Sequence, residues 1–166
     1  MRIIKVWIFS FSGQQLFCKE YEDCSIPVQD RPQDSFMTNM LNTGVVHSFL
    51  NFFNSHVVKK YCDLMMFDDI LFTFYYMFED TLKFITLIIT QIDKKIELEV
   101  QTHVLQKVAR SISCDFSESY KEVMGDLQVN LNIFKPFEER CDQILHDIAG
   151  ELETDLKEQR IKINGF

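Results

Sequence analysis

Glycine and proline are scarce, five and three in 166 residues, and they never gather into a run. That excludes a collagen-like or glycine-rich flexible chain and leaves no low-complexity linker to divide the sequence. It also removes the phosphate cradles: no GxxxxGK[ST] loop occurs, and no G-x-S-x-G elbow for a serine nucleophile. Basic residues are outnumbered, 17 Lys and Arg against 25 Asp and Glu, for a net charge of −8. A nucleic-acid binder needs cations to neutralise phosphates, so that class is excluded too. The five cysteines (Cys18, Cys24, Cys62, Cys114, Cys141) are odd in number and contain no CxxC pair. They read as free thiols of a reducing cytosol, not as a disulfide framework. No Asn-x-Ser/Thr sequon occurs. No apolar run approaches the roughly 18 residues of a membrane span. The opening MRIIKVWIFSF places a basic residue before an apolar run but lacks a small-residue cleavage site, so it reads as a strand rather than a signal. The expectation is a soluble cytoplasmic protein, with at most peripheral membrane association through partners.

What the chain has in abundance is apolar bulk. Hydrophobic residues make up 46% and phenylalanine alone occurs 16 times, enough to bury a real core. The stretch Asp63–Ile92 organises the rest. It holds three short runs rich in β-branched and aromatic residues, separated by Asp68-Asp69 and Glu79-Asp80. Such runs favour strands, and breaks of about two residues favour tight antiparallel hairpins. In the second run Ile70, Phe72, Phe74, Tyr76 and Phe78 point one way, and Leu71, Thr73, Tyr75 and Met77 the other. Both faces are greasy, so this sheet must lie between two covering layers.

Around that meander the chain supplies the covers. Ile3 to Phe11 is apolar on both faces, with Ile4, Val6 and Ile8 on one and Ile3, Trp7, Phe9 and Phe11 on the other, and reads as a central strand. Ser12-Gly13-Gln14 reads as a turn, and Gln15 to Tyr21 as a returning edge strand. After the loop Ser25–Gln33, a helix capped by Asp34 or Ser35 carries Met37, Met40, Leu41, Val45, Phe49 and Phe52 at helical spacing. A second amphipathic helix spans about Ile96 to Phe116 through Val100, Val104, Val108, Ile112 and Phe116. A short helix is expected around Tyr120 to Leu127. Lys135-Pro136 opens a last helix whose stripe runs Phe137, Cys141, Ile144, Leu145, Ile148, Leu152 and Leu156. That helix either packs back on the domain or pairs with another helix. The expected fold is α/β (α+β): a five-stranded antiparallel sheet between one helix and a C-terminal helical layer, with residues 1–132 as the domain and 133–166 as the terminal helix.

Candidate chemistry is thin. His47, His56, His103 and His146 show no HExxH spacing. His56, Cys62 and Asp63 could meet around a loop as a metal site, but ordinary helix-end and strand roles explain them as well. Asp68-Asp69 and Glu79-Asp80 resemble paired carboxylates, yet both fall in predicted turns. Tyr75-Tyr76 could stack on bases, but no Lys or Arg is interleaved, so core packing is the simpler account. No catalytic residue, cofactor or metal is expected. The surplus lies on the first predicted helix, where Val46, Leu50, Phe53 and Val57 form a second apolar stripe at spacings of four, three and four. Either the chain folds over them, or a partner or a second copy does.

Hairpin, helix, three-strand meander and closing helices, carried by IFSFSGQQLF at Ile8–Phe17 and FDDILFTFYYMFEDTLKFITLIITQIDK at Phe67–Lys94, resemble the longin-like domains of membrane-traffic proteins. The resemblance implies a non-catalytic platform for small GTPases, SNARE helices or trafficking-complex subunits. It further implies docking between the first helix and the adjoining strand edge, placing Val46, Leu50, Phe53, Val57, Tyr61 and Leu64 at the contact. A small-ligand sensor of PAS or profilin-like shape is the alternative.

Overall fold

Five strands build one antiparallel sheet in the computed structural model, which describes residues 1–11, 14–21, 63–78, 83–123 and 131–163; residue 131 and residues 151–163 are described by backbone alone. The strands are β1 (Arg2–Ser10), β2 (Gln15–Glu20), β3 (Leu64–Phe67), β4 (Ile70–Phe78) and β5 (Lys83–Gln91), in the spatial order β2-β1-β5-β4-β3. Helices α1 (Leu98–Tyr120) and α2 (Phe137–Ile163) follow, joined through a 3₁₀ turn at Leu131–Phe134. Hairpin, meander and closing helices thus succeed one another as the longin resemblance implies. The predicted first helix lies outside the described residues.

Two-sided apolarity puts β1 and β5 at the centre, and the polar end of β2 and the brevity of β3 suit the two edges. Registers align rows across the sheet. Trp7 sits opposite Leu87, which sits opposite Phe74; Val6 sits opposite Ile88, which sits opposite Thr73. The first row belongs to a cluster of Trp7, Phe9, Phe72, Phe74, Ile85, Leu87 and Ile89, each at most 3% exposed. Among the described residues this cluster is built from strands alone. The second row joins Val6, Ile8 and Phe84 to Leu105, Ile112 and Phe116 of α1 and to Phe137 and Cys141 of α2.

The alternation predicted for β1 breaks at its start. Ile3 packs with Val6 and Ile8, and Ile4 with Trp7 and Phe9, the reverse of the predicted assignment. The register with β5 shifts between Ile3 and Lys5, and one extra residue in a strand inverts the facing of everything before it. A second shift, between Ile8 and Phe9 against β2, turns the neighbours Leu16 and Phe17 to the same cluster. Lys5, opposite Glu20 in register, is buried; its Nζ lies 2.7 Å from Glu20 Oε1 and 4.6 Å from the Trp7 ring centroid.

Asp68 and Asp69 are turn residues, as their pattern predicts. Asp68 takes φ 52°, a left-handed conformation that Asp tolerates better than most side chains, and the ladder closes at Phe67 opposite Ile70. Gln91 Nε2 donates to the Asp69 carboxylate at 3.0 Å, clamping this turn to the end of β5. Glu79 and Asp80 lie outside the described residues.

Helix α1 starts later and ends later than predicted, and Val100 is exposed at 38%. A strict four-residue spacing rotates by about 40° per step on an α-helix, so a stripe followed from Phe116 back to Val100 leaves the buried face. The face that is buried interleaves threes and fours: Gln101, Val104, Leu105, Val108, Ala109, Ile112, Ser113 and Phe116. Gln101 stitches the preceding loop, accepting from Asp93 N at 2.8 Å and donating to the carbonyls of Asp93 and Ile96. Tyr120 is the last residue of α1, and 121–123 form a turn, so no separate helix begins there; residues 124–127 lie outside the described ones.

Helix α2 begins directly after Pro136 and packs back on the sheet through Phe137, Cys141, Ile144 and Ile148. Polar contacts pin it at both flanks. Lys19 of β2 reaches Asp142 at 2.6 Å and donates to the Glu138 carbonyl at 3.0 Å, while Arg140 Nε donates to Asp115 of α1 at 2.7 Å. The side chains of Leu152 and Leu156 lie outside the described residues.

The hydroxyls of Ser113 and Thr86 are 2.7 Å apart and bonded, but those of Thr73 and Thr90 are buried with no hydrogen-bond partner. Burying a hydroxyl without a partner costs about 1–3 kcal/mol in proteins. Thr73→Val keeps the shape and favours the strand. It is expected to raise stability by about 1 kcal/mol in urea denaturation, whereas Ser113→Ala, which strands Thr86, lowers it.

Candidate partner-binding surface

Among the described residues no three His, Cys, Asp or Glu side chains gather where they could hold a metal ion, and no helix is long and apolar enough to cross a membrane. The groups whose titration is displaced have packing causes. Burial raises the Cys18, Cys141 and Tyr120 values and pushes Tyr21 far up, the last reinforced by hydrogen bonds to Cys141 and Asp142. The Asp93 carboxyl is held below the usual range, first by accepting the Lys95 backbone N–H at 2.9 Å. These groups mark the seams where β2, α1, α2 and the N-terminus meet.

The apolar surface is unevenly distributed. Eight large hydrophobic side chains are exposed among the described residues, and six of them, Met1, Met66, Phe67, Ile96, Leu98 and Val100, lie at one end of the sheet. That end is defined by pairing: Arg2 is opposite Gln91, Gln91 is opposite Ile70, and Ile70 closes the hairpin against Phe67. Helix α1 enters at the same end. Met66 is 52% exposed and Phe67 38%, and both belong to β3, the outermost strand. β3 reads LMMF, four residues with no charge or proline among them to blunt an edge. Phe67 is held in place by an edge-on contact with Phe72, centroids 5.8 Å apart, so part of its ring is anchored in the Trp7 cluster while the remainder faces outward.

Of the residues predicted at the contact, Val46, Leu50, Phe53, Val57 and Tyr61 lie outside the described residues. Leu64 starts β3, is half-buried and packs against the cluster that joins Val6 and Ile8 to the helices, so it supports the edge from behind. Phe67 was not singled out by sequence: its exposure follows from β3 being outermost, which composition does not reveal.

No protein-family model matches the chain, and no curated protein matches it either. Among solved structures it is similar to a chain of "The Structure of the Mammalian SRP Receptor", at 14% identity and a TM-score of 0.48, covering 90% of this chain and 97% of that one.

Proposed function

We propose that this chain is a non-catalytic protein-interaction platform of membrane traffic or small-GTPase regulation, engaging a partner along the β3 edge and the adjoining end of the sheet. The observation that carries this reading is the gathering of exposed Met66 and Phe67 on an outermost, uncharged strand. Clustered apolar side chains at a sheet edge are the raw material of an interface: main-chain groups along the edge supply hydrogen bonds, and alternate side chains supply specificity. Burying a large apolar side chain fully contributes about 1.5–3 kcal/mol, and an aromatic anchor at an interface centre can be worth about 2 kcal/mol or more. The longin resemblance supplies the partner class, a small GTPase or a trafficking-complex subunit. The proposal includes the absence of catalysis and of a bound cofactor.

A panel of purified small GTPases, each loaded with GDP or a non-hydrolysable GTP analogue, tests it by equilibrium binding. Saturable binding to at least one, in one nucleotide state, is expected. The double substitution Met66→Asp/Phe67→Asp should weaken it by about 30-fold, the equivalent of about 2 kcal/mol, with circular dichroism unchanged. No binding in either state by folded protein, or equal binding by the double variant, would overturn the reading.

A further inference from the structure

We propose that a cleft where the start of β1 meets α1 and α2 binds an unbranched alkyl chain of medium length, with the head group left at the mouth. The cleft holds about 550 Å³, and small-molecule sites run from about 300 to 1,000 Å³. Its walls are Ile3 of β1, Val104 and Val108 of α1, and Leu145, Ile148 and Ala149 of α2.

Side-chain size explains why room remains there. Ile3, Val104, Val108, Leu145 and Ile148 all belong to or pack on the cluster between the sheet and the two helices, so three elements turn aliphatic side chains into one space. At the other end of the same layer Phe17, Phe84, Phe116, Phe134 and Phe137 fill the distance between strands and helices. Here the facing residues are Val, Ile, Leu and Ala, whose shorter reach leaves the layer short of close packing. Among the described residues the one aromatic ring on the cleft is that of Tyr21, whose hydroxyl donates to Asp142 at 3.2 Å. Branched aliphatic walls give dispersion contacts to a flexible chain and no broad flat face for a ring to stack on. Met1, Arg2 and His146 complete the lining; the Met1 ammonium is held by Asp93 at 3.4 Å, and His146 and Ala149 are exposed at the mouth. The chain, not the head, is therefore the part this site recognises.

β5 and β4 lie between this cleft and β3, so the proposal stands whether or not the β3 edge takes a partner. Titration calorimetry of the full chain with 1-octanol should give saturable one-to-one binding. 1-Hexanol, two methylenes shorter, should bind about tenfold more weakly, and benzyl alcohol more weakly than 1-octanol. Ala149→Phe, which sets a ring across the mouth from an exposed helix position, should weaken octanol binding by about tenfold with circular dichroism unchanged. Met66→Asp/Phe67→Asp should leave it unchanged. The proposal fails if 1-octanol does not saturate, if the two alkyl alcohols bind alike, if benzyl alcohol binds tightest, or if Ala149→Phe binds as tightly as wild type.

Discussion

Phe116→Ala is expected to cost about 5 kcal/mol, the upper end of the range for removing a buried aromatic. Phe116 is fully buried, and five rings surround it: Phe17 at 6.4 Å, Phe84 at 5.5 Å, Tyr120 at 5.0 Å, Phe134 at 5.2 Å and Phe137 at 5.1 Å between centroids. Those rings come from β2, β5, α1, the 3₁₀ turn and α2, so a single side chain ties the sheet to both helices. Each aromatic pair adds about 0.5–1.5 kcal/mol beyond area burial, and a cavity walled by these five rings has little freedom to collapse. Against a typical total of about 5–15 kcal/mol, the loss is a third or more, a fall in Tm of about 10–20 °C. Phe116→Leu should cost about 1–2 kcal/mol, because most of the volume remains. Urea denaturation with a common slope checks both. A loss below about 2 kcal/mol for the alanine would mean that the site relaxes and the hub is not tightly packed.

Leu87→Asp is expected to abolish cooperative folding. Leu87 is fully buried at the centre of β5, flanked in register by Trp7 and Phe74, in the cluster opposite α1 and α2. The substitution removes a packed aliphatic side chain, worth about 2–5 kcal/mol, and adds a carboxyl with no partner, which must stay protonated or pull water into the core. The two penalties together match or exceed the stability of an ordinary domain. The absence of an unfolding transition in a thermal scan is the expected readout. Leu98→Asp, on a side chain 41% exposed, is the control and should change stability by less than about 0.5 kcal/mol. Should the Leu87 variant melt like wild type, the second face of the sheet is wet and the fold account is wrong.

The meander was legible because its alternation is apolar on both sides, which few other structures accommodate: Phe72 and Phe74 do face away from Leu71 and Thr73. Pro136 marked the start of α2 for a local steric reason. What stayed hidden depends on partners distant in the chain. The extra residue that swaps Ile3 and Ile4 leaves no trace in composition, since both are isoleucine. Val100 continued a plausible spacing, but four strict four-residue steps back from Phe116 carry it off the buried face. Phe134, in a stretch that lacks periodicity, is nevertheless 2% exposed and part of the aromatic hub. For the candidate surface, LMMF reads as one more apolar run; the order β1-β5-β4-β3 is what leaves Met66 and Phe67 on the rim.

Native-state hydrogen exchange tests the central claim most directly, a sheet hidden on both sides with β3 at one of its edges. Amides of Val6–Phe9 and Phe84–Ile89 should exchange only through global unfolding, with protection equal to the free energy from denaturation. Those of Leu64–Phe67 should open by a local route, orders of magnitude faster. Uniform exchange across all five strands, or β3 protected as strongly as β5, would contradict the account.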